Sequence, residues 1–387
     1  MHHLALKNIG LATIFWLLAI LPCALSSAVD SRPAIGFDLG QSYGTAVAHL
    51  PNGTIIKLAK VEGSLRYQAF LQSEIQKQQG SRWYPSRAEV QREELSRLLK
   101  QYTGLGGPYG AAILAEMLIP LRTASEAVLG APLPATVVIT APYITAWRHE
   151  ETEDSSFVER ARKLAGLRPL TVDNMDPVYL GEANSVLAAN GREICPDLRC
   201  KGPEWSDEIL FRQDVVYFIS FTNQSLYTSF QMATCFFHSP VGARLGNIDP
   251  DFGLNQQHQA TDRASFWQRL QKHLISRVGE HAKIRDIYQQ SYLVVVAGEA
   301  ANTPEFLDAV RQTVTHIQND PVHRVKETGT GPKVELLVSD DPTYAAAKGV
   351  AFWRRTMIDS SYCDDWFEAE EKYKSRQSFD REDRDEL

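Results

Sequence analysis

The sequence predicts an α/β protein of two lobes, each a mixed β-sheet with flanking helices, arranged around a central cleft. Three observations predict it. The chain has 387 residues, more than one compact core usually serves. Two segments read as β-hairpins, one opening near Ala34 and one near Asp214. After each, short apolar strands alternate with helical spacing, the pattern of sheets covered by helices.

The first hairpin is built from Ala34 to Leu39, a tight turn over Gly40 to Gly44, and Thr45 to Leu50. Gly40 and Gly44 are expected to supply the permissive turn. Pro51-Asn52-Gly53 leads into a third strand, Thr54 to Ala59. Glu62 to Tyr84 is a polar stretch without a clear element. Helical spacing follows over Ser86 to Tyr102, and again over Ala111 to Leu129, where Pro120 should bend the helix. Thr136 to Thr140 reads as a buried strand, and Phe157 to Leu167 as a helix. Gly181 to Asn190 is a helix of small residues that permits close packing.

The second half runs similarly. Strands Asp214 to Phe221 and Ser225 to Phe236 flank Thr222-Asn223-Gln224. Helix Ala264 to Val278, strand Tyr292 to Val296, helix Thr303 to Ile317, strand Val334 to Val338 and an alanine-rich helix over Pro342 to Arg355 complete it. A cleft between the halves is the default ligand site.

Charge and composition exclude some roles. The net charge is −7 and no basic stripe occurs, which argues against a nucleic-acid partner. Lys7 followed by the apolar run Ile9 to Leu25, with Ser26 and Ala28 behind it, reads as a cleaved secretory leader. An uncleaved anchor is the alternative. The chain ends in Arg384-Asp385-Glu386-Leu387, a variant of an endoplasmic reticulum retrieval signal. The expected location is therefore the endoplasmic reticulum lumen, with secretion as the alternative. Asn52-Gly53-Thr54 and Asn223-Gln224-Ser225 are glycosylation sequons usable there. Cys195 and Cys200 are the best candidate disulfide in that compartment, leaving Cys235 and Cys363 as a second pair. Their spacings do not suit zinc.

In order, the runs Ile35 to Gly44, Leu129 to Pro142, Ala161 to Leu167, Gly181 to Gly191, Val294 to Pro304 and Asp341 to Gly349 resemble segments of the heat-shock protein 70 nucleotide-binding domain, of the actin-like ATPase superfamily. Ile35-Gly36-Phe37-Asp38-Leu39-Gly40-Gln41-Ser42-Tyr43-Gly44 is similar to that family's first phosphate motif. Leu129 to Pro142 resembles its following strand, and Ala161 to Leu167 the helix end after it. Gly181 to Gly191 resembles the first connecting helix, Val294 to Pro304 the adenosine motif, and Asp341 to Gly349 the second connecting helix. The resemblance spans roughly Ala34 to Arg355 and implies an actin-like ATPase fold. It also implies lobe I over 33–190, a shortened lobe II over 191–340 and a returning helix over 341–356, between the leader at 1–28 and a charged tail at 357–387 that composition marks.

The resemblance further implies an ATP or ADP site with Mg²⁺. Asp38 would hold the metal through water, and Glu182 would reach metal and water from the connecting helix. Gly40, Gln41, Ser42 and Tyr43 would face phosphate, and Gly298 the adenosine. Three departures stand against activity. Ser220 replaces the second motif's aspartate, and Thr222, Asn223 and Gln224 replace its glycines. No catalytic lysine is assignable, since Lys57 and Lys60 lie too early. The segment between Ser220 and Ala297 is too short for the family's full adenine clamp, and the peptide-binding domain is expected to be absent. The implied role is a module with weak or lost ATPase activity that engages protein partners or clients in the lumen. An active chaperone-type ATPase and a small-molecule kinase of the same superfamily are the alternatives.

Overall fold

The computed structural model describes residues 32–79, 108–133, 136–144, 147, 157–168, 179–192, 214–232, 244–259, 262–284, 291–319 and 331–358. The expected leader, the expected Ser86 to Tyr102 helix, all five cysteines and the charged tail lie outside them. Among the described residues no helix is long and apolar enough to cross a membrane.

Lobe I holds strands β1 (Ala34–Leu39), β2 (Tyr43–His49), β3 (Ile55–Glu62), β4 (Val137–Ala141) and β5 (Leu180–Gly181). Its helices are α1 (Leu65–Gln79), α2 (Pro108–Leu129), α3 (Phe157–Leu164) and α4 (Glu182–Ala189). Lobe II holds β6 (Asp214–Phe221), β7 (Leu226–Met232), β8 (Arg244–Asp249), β9 (Ser291–Ala297) and β10 (Lys333–Val338). Its helices are α5 (Leu254–Gln259), α6 (Arg263–Ile284) and α7 (Pro304–Asn319), and α8 (Ala345–Ile358) closes the chain's described part.

The two sheets have one topology. Lobe I is ordered β3-β2-β1-β4-β5 and lobe II β8-β7-β6-β9-β10. In each, the first three strands form an antiparallel meander, and the fourth pairs parallel to the first. The fifth pairs parallel to the fourth. This duplicated mixed sheet, with helices on its faces, is the actin-like ATPase fold.

Residue choice explains the packing. Every residue of β1 is buried, as a strand covered on both faces requires. Gly36 allows one cover: a Cβ there would lie 2.3 Å from the Ala347 carbonyl oxygen of α8. Gly349 lets α8 cross α4 as closely, since a Cβ would stand 1.7 Å from the Ser185 carbonyl oxygen. In lobe II the strand alternation sends Val215, Tyr217, Ile219 and Phe221 toward α6 and α7, where Phe221 stacks on Phe306 at 4.3 Å. The alternate residues Val216 and Phe218, with Val295 and Ala297, join the core of lobe I. One apolar cluster thus spans both lobes, beside a separate one between the lobe II sheet and α6 and α7.

Helix α2 continues past Pro120, from Pro108 to Leu129. One expectation changes. Gly40 and Gly44 do not take left-handed backbone, as the positive-φ glycines are Gly53, Gly130, Gly166, Gly191 and Gly298. Space explains these two glycines instead. A Cβ on Gly40 would lie 2.9 Å from the Tyr43 carbonyl oxygen, and one on Gly44 the same distance from that of Asp38.

Candidate functional site

Asp38 lies near the end of β1 and Glu182 opens α4, so both carboxylates come to the heart of the molecule. They are only 3% and 4% exposed. Among the described residues, Asp38 Oδ1 and Glu182 Oε2 have no hydrogen-bond partner. Burial pushes the Asp38 carboxyl up to about 8. Burial pushes Glu182 well above the carboxylate range, helped by the Asp38 charge and opposed by the nearby Ser220 hydroxyl. Tyr43 and Tyr67 are raised too, first by burial and then by the two carboxylates. The Tyr67 hydroxyl donates to the Gly40 carbonyl at 2.9 Å, bracing the first turn from α1.

Pairing register identifies the second lobe's counterpart of Asp38. Asp38 pairs with Thr45 and Leu39 with Gly44 across the first hairpin. Ser220 pairs with Tyr227 and Phe221 with Leu226 across the second. Both pairs span the same number of residues, so Ser220 occupies the Asp38 position. The seat that holds a carboxylate in lobe I holds a hydroxyl in lobe II.

The two turns are bonded to each other. Gln41 Nε2 donates to the Ser220 carbonyl at 3.0 Å, and Ser220 Oγ donates to Gln41 Oε1 at 3.2 Å. Ser42 Oγ donates to Thr222 Oγ1 at 2.9 Å. All four side chains are buried. Thr222 also organises its own turn: Oγ1 donates to the Ser225 carbonyl at 2.9 Å and accepts from the amides of Gln224 and Ser225 at 3.2 and 3.0 Å. The Thr222 amide donates to the Ser225 carbonyl, and the Asn223 amide to Glu299 Oε1 at 3.0 Å. Every amide from Thr222 to Ser225 is therefore committed inside the protein.

Further ties surround this lock. Lys60 on β3 forms an ion pair with Glu299 at 2.7 Å and lies 5.0 Å over the Tyr43 ring. Lys57 pairs with Asp341 at 2.7 Å, and the Tyr43 hydroxyl donates to the Thr343 carbonyl at 3.3 Å. Across the molecule α1 packs on β8, where Gln72 Nε2 donates to the Ile248 carbonyl at 3.4 Å. Gly298 serves this closure as well. Its φ is +101°, and a Cβ would stand 2.2 Å from the Phe221 carbonyl oxygen. Its amide donates to Pro342.

The fit to Mg²⁺ and nucleotide splits in two. The unpartnered oxygens of Asp38 and Glu182 are the hard donors that Mg²⁺ prefers. The second turn does not fit. A phosphate cradle needs amides pointing at the ligand, and the second turn has none to offer. Among the described residues no group of three or more His, Cys, Asp or Glu could hold a metal.

The structure brings Asp38, Gln41, Ser42, Tyr43 and Glu182 together, with Gly40 behind Tyr67. Gly298 supports the second hairpin from below. Three contributors were not assigned from sequence: Lys60, Glu299 and helix α1. Lys60, too early in the chain for a catalytic lysine, ties the two lobes.

No protein-family model and no curated protein match the chain by sequence. Solved structures resemble it more broadly, at low sequence identity, and three of them are as follows. Ethanolamine utilization protein EutJ from Carboxydothermus hydrogenoformans shares 10% identity over 87% of this chain and 96% of that one, with a TM-score of 0.42. A ROK family glucokinase from Streptomyces griseus shares 11% over 84% and 99%, with a TM-score of 0.43. An inorganic polyphosphate/ATP-glucomannokinase from Arthrobacter sp. strain KM shares 11% over 84% and 99%, with a TM-score of 0.38. The fold assignment rests on strand order and register, and these likenesses add no argument about activity.

Proposed function

We propose that this chain is a closed, non-hydrolysing derivative of a heat-shock-70-like nucleotide-binding domain, acting through protein contacts in the endoplasmic reticulum lumen. One observation carries the loss of activity. The four amides of the second turn are all bonded within the protein, while Ser220 stands in the seat equivalent to Asp38. Phosphoryl transfer depends on prearranged donors and charge, and loss of one such donor typically costs ~3 kcal/mol of transition-state stabilisation. The order of the six motifs supports the descent, and the apolar run Ile9 to Leu25 supports the location.

Calorimetric titration with Mg-ATP, joined to a turnover assay, tests this reading. The expected result is no binding heat and no phosphate release. Turnover at rates ordinary for chaperone ATPases would overturn it. Turnover that appears only with a sugar acceptor would establish a kinase instead.

A further inference from the structure

The two sequons occupy opposite settings. Asn223 sits in the interlobe turn, with its amide on Glu299 and its carbonyl accepting from the Asn255 amide. The hydroxyl of its acceptor partner Ser225 is buried. Asn52 sits in the β2–β3 turn, where Pro51, Asn52, Gly53 and Thr54 are all exposed. That turn is well ordered by its own bonds. The Gly53 amide donates to the Leu50 carbonyl at 3.0 Å, and the Leu50 amide to the Thr54 carbonyl at 2.9 Å. Asn52 Oδ1 accepts from the Thr54 amide at 3.0 Å, an Asx turn.

This geometry has a chemical consequence. The Asx bond occupies Oδ1 and fixes the carboxamide, leaving Nδ2 with no acceptor among the described residues. Around Gly53 a Cβ would meet nothing within 4 Å, so no wall stands beside the turn. The turn also lies at the opposite end of β2 from Gly40–Ser42, about 20 Å away at roughly 3.3 Å per residue. A bulky sugar there leaves the interlobe ties untouched.

We infer that Asn52 is the N-glycan acceptor of this protein and that Asn223 is not. The donor class is a polyprenyl-diphosphate-linked oligosaccharide. Asn52 Nδ2 attacks the anomeric carbon, the bond from that carbon to the diphosphate oxygen breaks, and the polyprenyl diphosphate departs. One amide proton passes to a base of the transferase, and no redox change occurs. The inference rests on the proposed secretory passage of the chain.

The test is translation of the full chain with microsomes, once with its own leader and once behind an established cleavable leader. Protease protection reports entry, and an endoglycosidase-sensitive mass shift reports the glycan. The protected chain is expected to carry one glycan. The shift should vanish in Asn52→Gln and Thr54→Ala, and persist in Asn223→Gln. A protected chain with no shift, or a shift that survives Asn52→Gln, would overturn the assignment. Entry and glycosylation only behind the added leader would uphold Asn52 while refuting the location.

Discussion

The first and second hairpins share a register and differ in what their turns do. In the first, Asp38 keeps an oxygen without a partner, and Gln41 and Ser42 reach outward across the lobes. In the second, Ser220 and Thr222 receive them, and Thr222 closes its own turn. One scaffold therefore supplies an unsatisfied acid on one side and a self-satisfied plug on the other. Strand order and pairing survive such exchange because they depend on buried alternation. A phosphate site does not, because it depends on a few amides left unspent.

The largest expected effect comes from making the hairpins alike. Ser220→Asp places a third carboxylate beside Asp38 and Glu182 in a site with no described cation contacting them. An uncompensated buried charge should cost ~3–5 kcal/mol, read as a lower urea midpoint at neutral pH. If Mg-ATP restores the midpoint and binds, the second hairpin is one residue from working and the contrast between the hairpins is broken.

The next effect tests what supports the second hairpin. Gly298→Ala must take left-handed backbone and press on Phe221. A loss of ~2–4 kcal/mol is expected. Gly53→Ala is the control, with the same sign of φ but open space, and should lose ~1 kcal/mol. Equal losses in the two variants would show that the Phe221 contact is irrelevant.

Acidity sharpens the comparison from the other side. Asp38 titrates near 8 in the folded protein against an ordinary 3.8. The unfolded chain releases that proton at the lower value and the folded chain holds it to the higher one. Its contribution to stability is complete below pH 4 and is lost as pH rises toward 8. Asp38→Asn keeps the shape and removes the titration. It should be the more stable at pH 8, by up to ~5 kcal/mol, with a flatter stability profile between pH 4 and 8. A variant less stable at pH 8 would mean that the ionised carboxylate is held by a partner, such as a cation.

Much of this was legible in sequence, and the failures have physical reasons. The apolar runs at Ile35, Val137, Val215 and Val294 mark the central strands of each sheet because each is buried along its length. The small residues Ala183, Ser185, Ala345 and Gly349 announce the close crossing of the two connecting helices. Helix α1 was hidden by its polarity, although Tyr67, Leu71 and Ile75 recur every fourth residue and are all buried. Strand β8 reads Arg-Leu-Gly-Asn-Ile-Asp and lacks clean alternation; α1, not a polar face, covers it. The Gln41–Ser220 bond joins residues 179 positions apart. No local pattern carries such a bond, and the pair becomes visible only once the two hairpins face each other.

The smallest expected effect decides what Lys60 is for. It lies on lobe I beside the Tyr43 ring and pairs with Glu299, which in turn accepts the Asn223 amide of the second turn. Lys60 is about a quarter exposed, so solvent screens much of the attraction. Lys60→Met keeps the aliphatic stem over the ring and removes the charge. As a tie between the hairpins it should cost ~0.5–1 kcal/mol, and the loss should shrink as salt rises. Were Lys60 instead reserved for an anionic ligand, its removal would leave the urea midpoint of the free protein unchanged or raised. A fall in midpoint that salt diminishes therefore places Lys60 with the plug, on the satisfied side of the molecule.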